Sequence, residues 1–394
     1  MSYCKICGKD NCKQHTFLLT KAKSIKSFSG SSPPEIFVGR YNYPNVNLGI
    51  LSPQTHGDTQ ILSSPEEWHK QNLSIKQITN LRESLIYGRT KGHIKKLKDK
   101  LTSTMQEVAL THKSISTEFK LKKPIHVNKE QEKRTPLITN AAQVKSVRLE
   151  ENPSVIRKID QITSDTDAKS TTTINELKKH TSTSHIIKIL SAGLLGRKTF
   201  RKLVPTRWSI TAVDSNISKE NLKSIRDYPD IQNITVFTSE YLGNHYEFLL
   251  LPDRWSFEVI ERSSLKRGDL SGDSSHTTWQ DYESFHGRKN YAESVTGAYY
   301  ANRLALTEYL KKIKRQCSCL VFREIRPEYD TPLGVGILRQ TSKAAFQKPT
   351  KTFNTIKEAL QDIQTRLKQP ITNYTTNSKL LKNYRKQVRL SRWF

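Results

Sequence analysis

Apolar and polar positions alternate along this chain in two rhythms, and the places where one gives way to the other mark out most of its elements. Leu73, Ile75, Ile78, Leu81, Leu85 and Ile86 recur at helical spacing, so the stripe predicts a helix over Leu73–Tyr87. The basic stretch that follows, Arg89 to Lys100, reads as a second helix. Residues 124–150 show no clear period and read as a loop or weak strands. After a polar run, Thr163 to Thr173, Ile174–His180 predicts a helix, and IIKILSAGLLG a helix followed by a turn. From Val204 the composition becomes strand-like: WSITAV, ITVFTSEY, YEFLLLP and WSFEVIE, separated by turn residues at Asp214-Ser215-Asn216, Gly243-Asn244 and Pro252-Asp253. Ala298–Ile313 is the strongest helix in the chain and leads into CSCLVFREI, a buried-strand candidate. Thr355–Leu367 repeats Ile356, Ala359, Leu360, Ile363 and Leu367, an amphipathic helix with Asn354 or Thr355 as N-cap. Near the front, FVGRYNYPNVNLGIL predicts short strands and turns punctuated by Gly39, Pro44 and Gly49.

These elements predict an α+β class with no internal repeat. The expected organisation is one large mixed domain over 35–368, preceded by a zinc-finger-like module at 1–16 and a Lys/Ser-rich linker at 17–34. A basic tether follows at 369–386, and a flexible tail ends in a peptide at 387–394. A hydrophobic fraction of 35% and a mean hydropathy of -0.65 are polar for a single compact body, which fits linker and loop in part of the length.

Charge narrows the partners. Across 394 residues, 65 Lys+Arg oppose 37 Asp+Glu, a formal net charge of +28. Such a surplus repels itself and favours a polyanion, most commonly nucleic acid, through phosphate contacts and counterion release. The bland alternative is a basic surface serving solubility. No run of eighteen apolar residues is present, so no membrane span is expected, and the first twelve residues lack a signal core. The expected location is therefore cytoplasmic, at DNA.

Three of the five cysteines fall in the first twelve residues. Cys4, Cys7, Cys12 and His15 have the spacing C-x2-C-x4-C-x2-H, four ligands able to close a tetrahedral structural Zn²⁺ site whose metal supplies the folding energy of so short a segment. Cys317 and Cys319 flank Ser318 in a probable strand and read as buried thiols. The last eight residues, Gln387, Val388, Arg389, Leu390, Ser391, Arg392, Trp393 and Phe394, match the peptide pattern that docks on the DNA polymerase sliding clamp (PCNA). A single 3₁₀ turn would gather Leu390, Trp393 and Phe394 into one apolar plug, with Gln387 hydrogen-bonding at its flank. The competing reading folds this tail back onto its own domain.

Charged or titratable groups set in or beside apolar segments are the catalytic candidates: Arg207, Asp214, His286, Arg288, Arg303, Glu308, Arg323 and Glu324. Arg207 and Trp208, after Pro205, suit a phosphate and a stacked base. Asp281, Glu283, His286 and Arg288 read as a polar loop after Trp279 and could join a metal or phosphate site. The alternative for each is an internal ion-pair network. No G-x-x-x-x-G-K-[ST] loop is present, which argues against an ATP motor.

Five stretches, Phe37 to Leu51, Leu190 to Lys198, Lys202 to Asp214, Gly297 to Leu310 and Arg323 to Gly336, resemble the archaeal Nre DNA repair family. The resemblance runs from the metal cluster to the terminal peptide, with Gly336 where the family would have Trp. It implies a repair protein that binds the sliding clamp through its C-terminal peptide and carries the N-terminal zinc-finger-like cluster; it does not fix a reaction. Three readings stay open: a clamp-recruited repair factor binding DNA, a DNA-processing enzyme such as a nuclease or nucleotide-modification hydrolase, and a non-enzymatic adaptor.

Overall fold

The computed structural model describes residues 24–126, 140–263 and 278–384. The class is α+β, as expected, with two six-stranded sheets and twelve α-helices among the described residues. The chain separates into two compact units, the first built on residues 1–216 and 331–333 and the second on 217–330 and 334–394. The physical basis is that each sheet buries its own apolar set.

The first unit runs β1 (Ser24–Ser32), β2 (Glu35–Val38), β3 (Asn45–Ser52), α1 (Pro65–Lys70), α2 (Ile75–Glu83), β4 (Ile86–His93), α3 (Lys100–Leu110), β5 (Ile115–His126), β6 (Asn140–Leu149), α4 (Arg157–Ser164), α5 (Ser170–Leu177) and α6 (Thr183–Ser191). Its strands lie in the order β1-β5-β6-β4-β3-β2, with only β4 and β6 parallel. Val46, Leu48, Ile50, Phe119 and Val144 build the core against Met105 and Val108 of α3. A Cβ at Gly49 would stand 2.0 Å from the Gly88 carbonyl oxygen, so only glycine permits this pairing of β3 with β4.

The helix α7 (Thr206–Ile225) is shared by the residue ranges of both units. The second unit continues with β7 (Ile234–Tyr241), β8 (Asn244–Leu251), β9 (Ser256–Ser263), β10 (Thr278–Glu283), α8 (Gly297–Ile313), β11 (Ser318–Ile325), α9 (Val335–Ala345), β12 (Lys351–Phe353), α10 (Ile356–Gln364), α11 (Thr372–Thr375) and α12 (Lys379–Asn383). Its sheet order is β10-β9-β11-β8-β7-β12, antiparallel throughout except for β9 and β11. Helices cover both faces. Tyr246, Phe248, Phe257 and Val321 pack toward α8, whereas Leu249, Leu251, Leu320 and Phe322 pack toward α10 and the C-terminal segment. That two-sided burial explains why YEFLLLP and CSCLVFREI are continuous apolar runs. Cys317 and Cys319 are buried free thiols.

Four expectations are corrected. WSITAV and Asp214-Ser215-Asn216 are not strand and turn but the first turns of α7, whose buried face is set by Ser209, Val213, Ile217, Asn221 and Ile225 at helical spacing. The basic run after Arg89 is the end of β4 and a turn, because the cross-strand pairs from Leu48↔Thr90 to Asn45↔His93 hold it extended. Residues 24–32 of the expected linker form β1, paired along its length with β5. The expected tether at 369–386 is folded through Tyr384, with Tyr374 and Leu380 buried in the second core. The zinc-ligand candidates Cys4, Cys7, Cys12 and His15 and the peptide Gln387–Phe394 lie outside the described residues.

Candidate nucleic-acid interface

Three segments distant in sequence meet on the first unit. The β2–β3 hairpin turns through Gly39–Pro44, closed by Gly39 N–H donating to the Asn47 carbonyl at 2.7 Å and Asn45 N–H to Asn42 at 2.8 Å. Asn42 takes the left-handed backbone (φ 61°) that asparagine tolerates better than most residues. Ile94 N–H, just past β4, donates to the Pro44 carbonyl at 3.0 Å, and Leu203 N–H donates to Ile94 at 2.9 Å. Val38 N–H donates to the Thr206 hydroxyl at 3.0 Å, fixing the start of α7 against the end of β2. Gly193 (φ 76°) permits the return of the chain here, since a Cβ would stand 2.8 Å from the Lys202 carbonyl oxygen.

The surface so formed is aromatic and cationic. The rings of Tyr43 and Trp208 lie 5.1 Å apart, tilted by 55°. Lys202 Nζ donates to the Tyr43 hydroxyl at 3.5 Å, and the Arg40 guanidinium sits 5.3 Å from the Tyr41 ring centre. Tyr41 is 75% exposed, Phe200 74%, Trp208 43% and Tyr43 40%; these are four of the five large hydrophobic side chains exposed among the described residues. Lys91, Lys95, Lys96 and Lys98, on and beyond the end of β4, are exposed, as are Arg197, Lys198, Lys202 and Arg207. None of these eight cations ion-pairs with a carboxylate among the described residues. A surface with exposed cations and exposed ring faces can take phosphates and stack bases. Arg207 and Trp208 were legible from sequence; Tyr43, Tyr41 and Lys202 were not, although an Arg-Tyr-Asn-Tyr-Pro tip between two strands was a signal that could have found them.

The other candidates do not converge. Asp214 is buried within α7, whereas Arg207 is exposed on its first turn. In the second unit, Arg303 Nε donates to Glu283 at 2.8 Å and its Nη1 to Ser218 at 2.5 Å, and Trp255 Nε1 donates to the same Glu283 oxygen at 2.9 Å. Arg323 closes on Glu261 and Asn244, both at 2.5 Å. Burial works against the Arg323 charge, but the Glu261 carboxylate and the Tyr246 hydroxyl outweigh it and hold the guanidinium above its ordinary pKa. Glu324, the next residue, points to the opposite face of the sheet, where it accepts from Arg326 Nε at 3.1 Å and from the Lys368 and Gln369 amides. Glu308 pairs with Lys343 at 2.7 Å.

Asp281 lies in β10, not in a loop, and joins Arg288 at 2.9 Å. The remaining Arg288 donors reach the carbonyls of Tyr282, Asn290 and Tyr291. A polar cleft of about 380 Å³ lined by Asp281, Arg288, Lys289 and Lys379 therefore has little free guanidinium to offer an anion. His286 is exposed, its ring edge-on to Phe285. Among the described residues no three His, Cys, Asp or Glu side chains are grouped to hold a metal ion.

One constellation was not foreseen. On the first unit, Ser29 Oγ donates to Glu150 at 2.5 Å and lies 3.3 Å from His56 Nε2. The other His56 nitrogen faces Ser116 Oγ at 3.4 Å instead of a carboxylate, so the relay that activates a serine nucleophile is incomplete. No helix among the described residues is long and apolar enough to cross a membrane.

Comparison with known proteins gives the lineage. The family model described as "Archaeal Nre, N-terminal" matches residues 2–266, and "Archaeal Nre, C-terminal" matches residues 283–393. The DNA repair protein NreB of Archaeoglobus fulgidus is 32% identical over 393 residues, covering 97% of this chain and 96% of the relative. The DNA repair protein NreA of the same organism is 32% identical, covering 90% of each chain. The DNA repair protein NreA of Haloferax volcanii is 30% identical, covering 86% of this chain and 82% of the relative. No solved structure matches. With both halves matched and relatives of this identity aligned nearly end to end, the chain belongs to the archaeal Nre family.

Proposed function

We propose that this protein is a DNA repair factor that binds DNA through the basic, aromatic surface of its first unit and is brought to its substrate by the polymerase sliding clamp. The observation that carries the DNA-binding reading is the contact of Tyr43 with Trp208 and Lys202, with exposed Arg40, Lys95, Lys96 and Arg207 on the segments that meet there and no carboxylate partner for them among the described residues. A net charge of +28 and relatives named as DNA repair proteins support it. Electrophoretic mobility shift with the full chain tests it: DNA should be retained at low salt and released as salt rises, and charge reversal at Lys95 and Lys96 should weaken retention.

Clamp recruitment is supported by the spacing of Gln387, Leu390, Trp393 and Phe394. Removing residues 387–394 should abolish co-purification with the clamp and leave DNA binding intact; undiminished clamp binding would refute it. Cys4, Cys7, Cys12 and His15 suit a structural Zn²⁺ by donor type, three thiolates and an imidazole. Metal analysis should find one zinc per chain, lost in Cys7→Ser. Arg303, Arg323 and Arg288 are tied to neighbouring carboxylates, so these three candidates lend a catalytic role no support.

A further inference from the structure

We propose that the Tyr43–Trp208 pair, with Tyr41 beside it, is a stacking platform for unpaired bases, so that the DNA surface of the first unit selects single-stranded or locally opened DNA over intact duplex. The inference rests on the DNA-binding reading and names its substrate class.

The argument starts from what the exposed rings would do in each complex. Charge alone would hold a duplex, because a double helix presents phosphates outward and keeps base faces in its stack. Rings displayed to solvent gain nothing from that partner, yet they carry a hydration cost that the free protein bears. An unpaired strand offers phosphates and base faces together, so it alone uses every group on this surface.

The arrangement fits that use. Tyr43 and Trp208 are tilted by 55° and each remains about two-fifths exposed, so their contact does not hide either ring from a third. Both are fixed to scaffold: the Tyr43 turn by Pro44 and Ile94, the Trp208 turn by Thr206 and Val38. Lys202 on the Tyr43 hydroxyl and Arg207 beside Trp208 bring cations within one side-chain length of the rings, where the phosphates of a stacked strand would pass. Tyr41, next but one to Tyr43 and the most exposed of the set, extends the aromatic track along the hairpin tip. A protein partner of acidic character is the competing occupant; exposed rings together with exposed cations on one patch favour nucleic acid.

Fluorescence anisotropy with the full chain decides it, using a labelled strand of about 20 nucleotides, its duplex, and a base-free deoxyribose-phosphate strand of equal length. The single strand should bind more tightly than either other form. The double substitution Y43A/W208A should weaken single-strand binding roughly 5- to 150-fold while duplex and base-free binding change less than about twofold. W208F should keep most of the affinity and lose the quenching of indole fluorescence on binding; circular dichroism melting confirms that each variant folds. K95E/K96E should weaken all three forms alike. Equal affinity for natural and base-free strands, or equal losses on all three in Y43A/W208A, would overturn the stacking proposal and leave DNA binding standing. No salt-sensitive binding of any form would overturn both. Loss of a self-association equilibrium in Y43A/W208A, with DNA affinity unchanged, would assign the patch to a protein contact and overturn it too.

Discussion

At the scale of single residues, environment decides what a side chain can do. His185 of α6 is buried, its Nε2 group donating to the Ala109 carbonyl at 2.9 Å and its Nδ1 accepting from the Thr181 hydroxyl at 2.8 Å. Burial pushes its pKa down to about 4, and the charge of Lys188 adds to the shift. In an unfolded chain the ring titrates near 6.5, so between that pH and about 4 the unfolded state takes up a proton that the fold refuses. Stability is therefore full above pH 6.5 and declines as pH falls through this window, by about 3 kcal/mol at its lower end. Urea unfolding at several pH values should show this slope, and His185→Gln, which can still donate to Ala109, should flatten it. The Arg303–Glu283 pair tests another limit. Glu283→Ala leaves a buried guanidinium and a Trp255 indole without their acceptor and should cost about 3–5 kcal/mol. Arg303→Met combined with Glu283→Leu should recover part of that loss in the same melting assay. Sequence placed Arg303 beside an apolar segment and Glu283 in a polar loop, and only the fold showed that they answer each other.

At the scale of elements, periodicity was a good guide where apolar residues carried the packing and a poor one where polar residues did. α8 and α10 were legible because Ala301, Leu304, Ala305 and Leu310 of α8 and Ala359 and Ile363 of α10 are buried at helical spacing, and because Thr355 and Glu358 form a reciprocal capping box. α7 was not, because Ser209, Ser218 and Asn221 share its buried face with Val213 and Ile217. The C-terminal segment shows the same effect more sharply. Glu258, wholly buried in β9, accepts from the Ser378 hydroxyl and from the Lys379 and Leu380 amides, while Glu324 accepts from Lys368 and Gln369. A polar stretch that reads as tether is thus clamped by carboxylates from the sheet. Glu258→Ala should release it: hydrogen exchange at Lys379 and Leu380 should rise by the factor that a loss of about 1–3 kcal/mol gives, with β8 and β11 still protected. Protection unchanged at those amides would mean that Tyr374 and Leu380 suffice to hold the segment.

At the scale of the whole molecule, the charge surplus is unevenly employed. In the second unit Arg288, Arg303, Arg323, Arg326 and Arg366 are tied to carboxylates, and they have little to give a phosphate. On the segments around Tyr43 and Trp208 the cations have no carboxylate partner among the described residues. DNA affinity should accordingly fall linearly with the logarithm of salt concentration, and replacing Lys95 and Lys96 by Gln should make that slope shallower by about 1 to 2. Replacing the exposed Lys223 and Lys312 of the second unit should leave the slope unchanged. A slope indifferent to Lys95 and Lys96 would place the DNA elsewhere on the surface.

The amino-acid sequence by itself determined the α+β class, the strands β7, β8, β9 and β11 of the second sheet, the helices built on aliphatic stripes, the cationic balance and the family, because each depends on local order or composition. It also singled out Arg207 and Trp208. Only the tertiary structure decided that Tyr43 stands beside Trp208, that Arg303 and Arg323 are spent on Glu283 and Glu261, and that the two sheets bury separate apolar sets. Those outcomes depend on pairings between residues 20, 62 and 165 positions apart, which no local pattern of hydrophobicity or charge encodes.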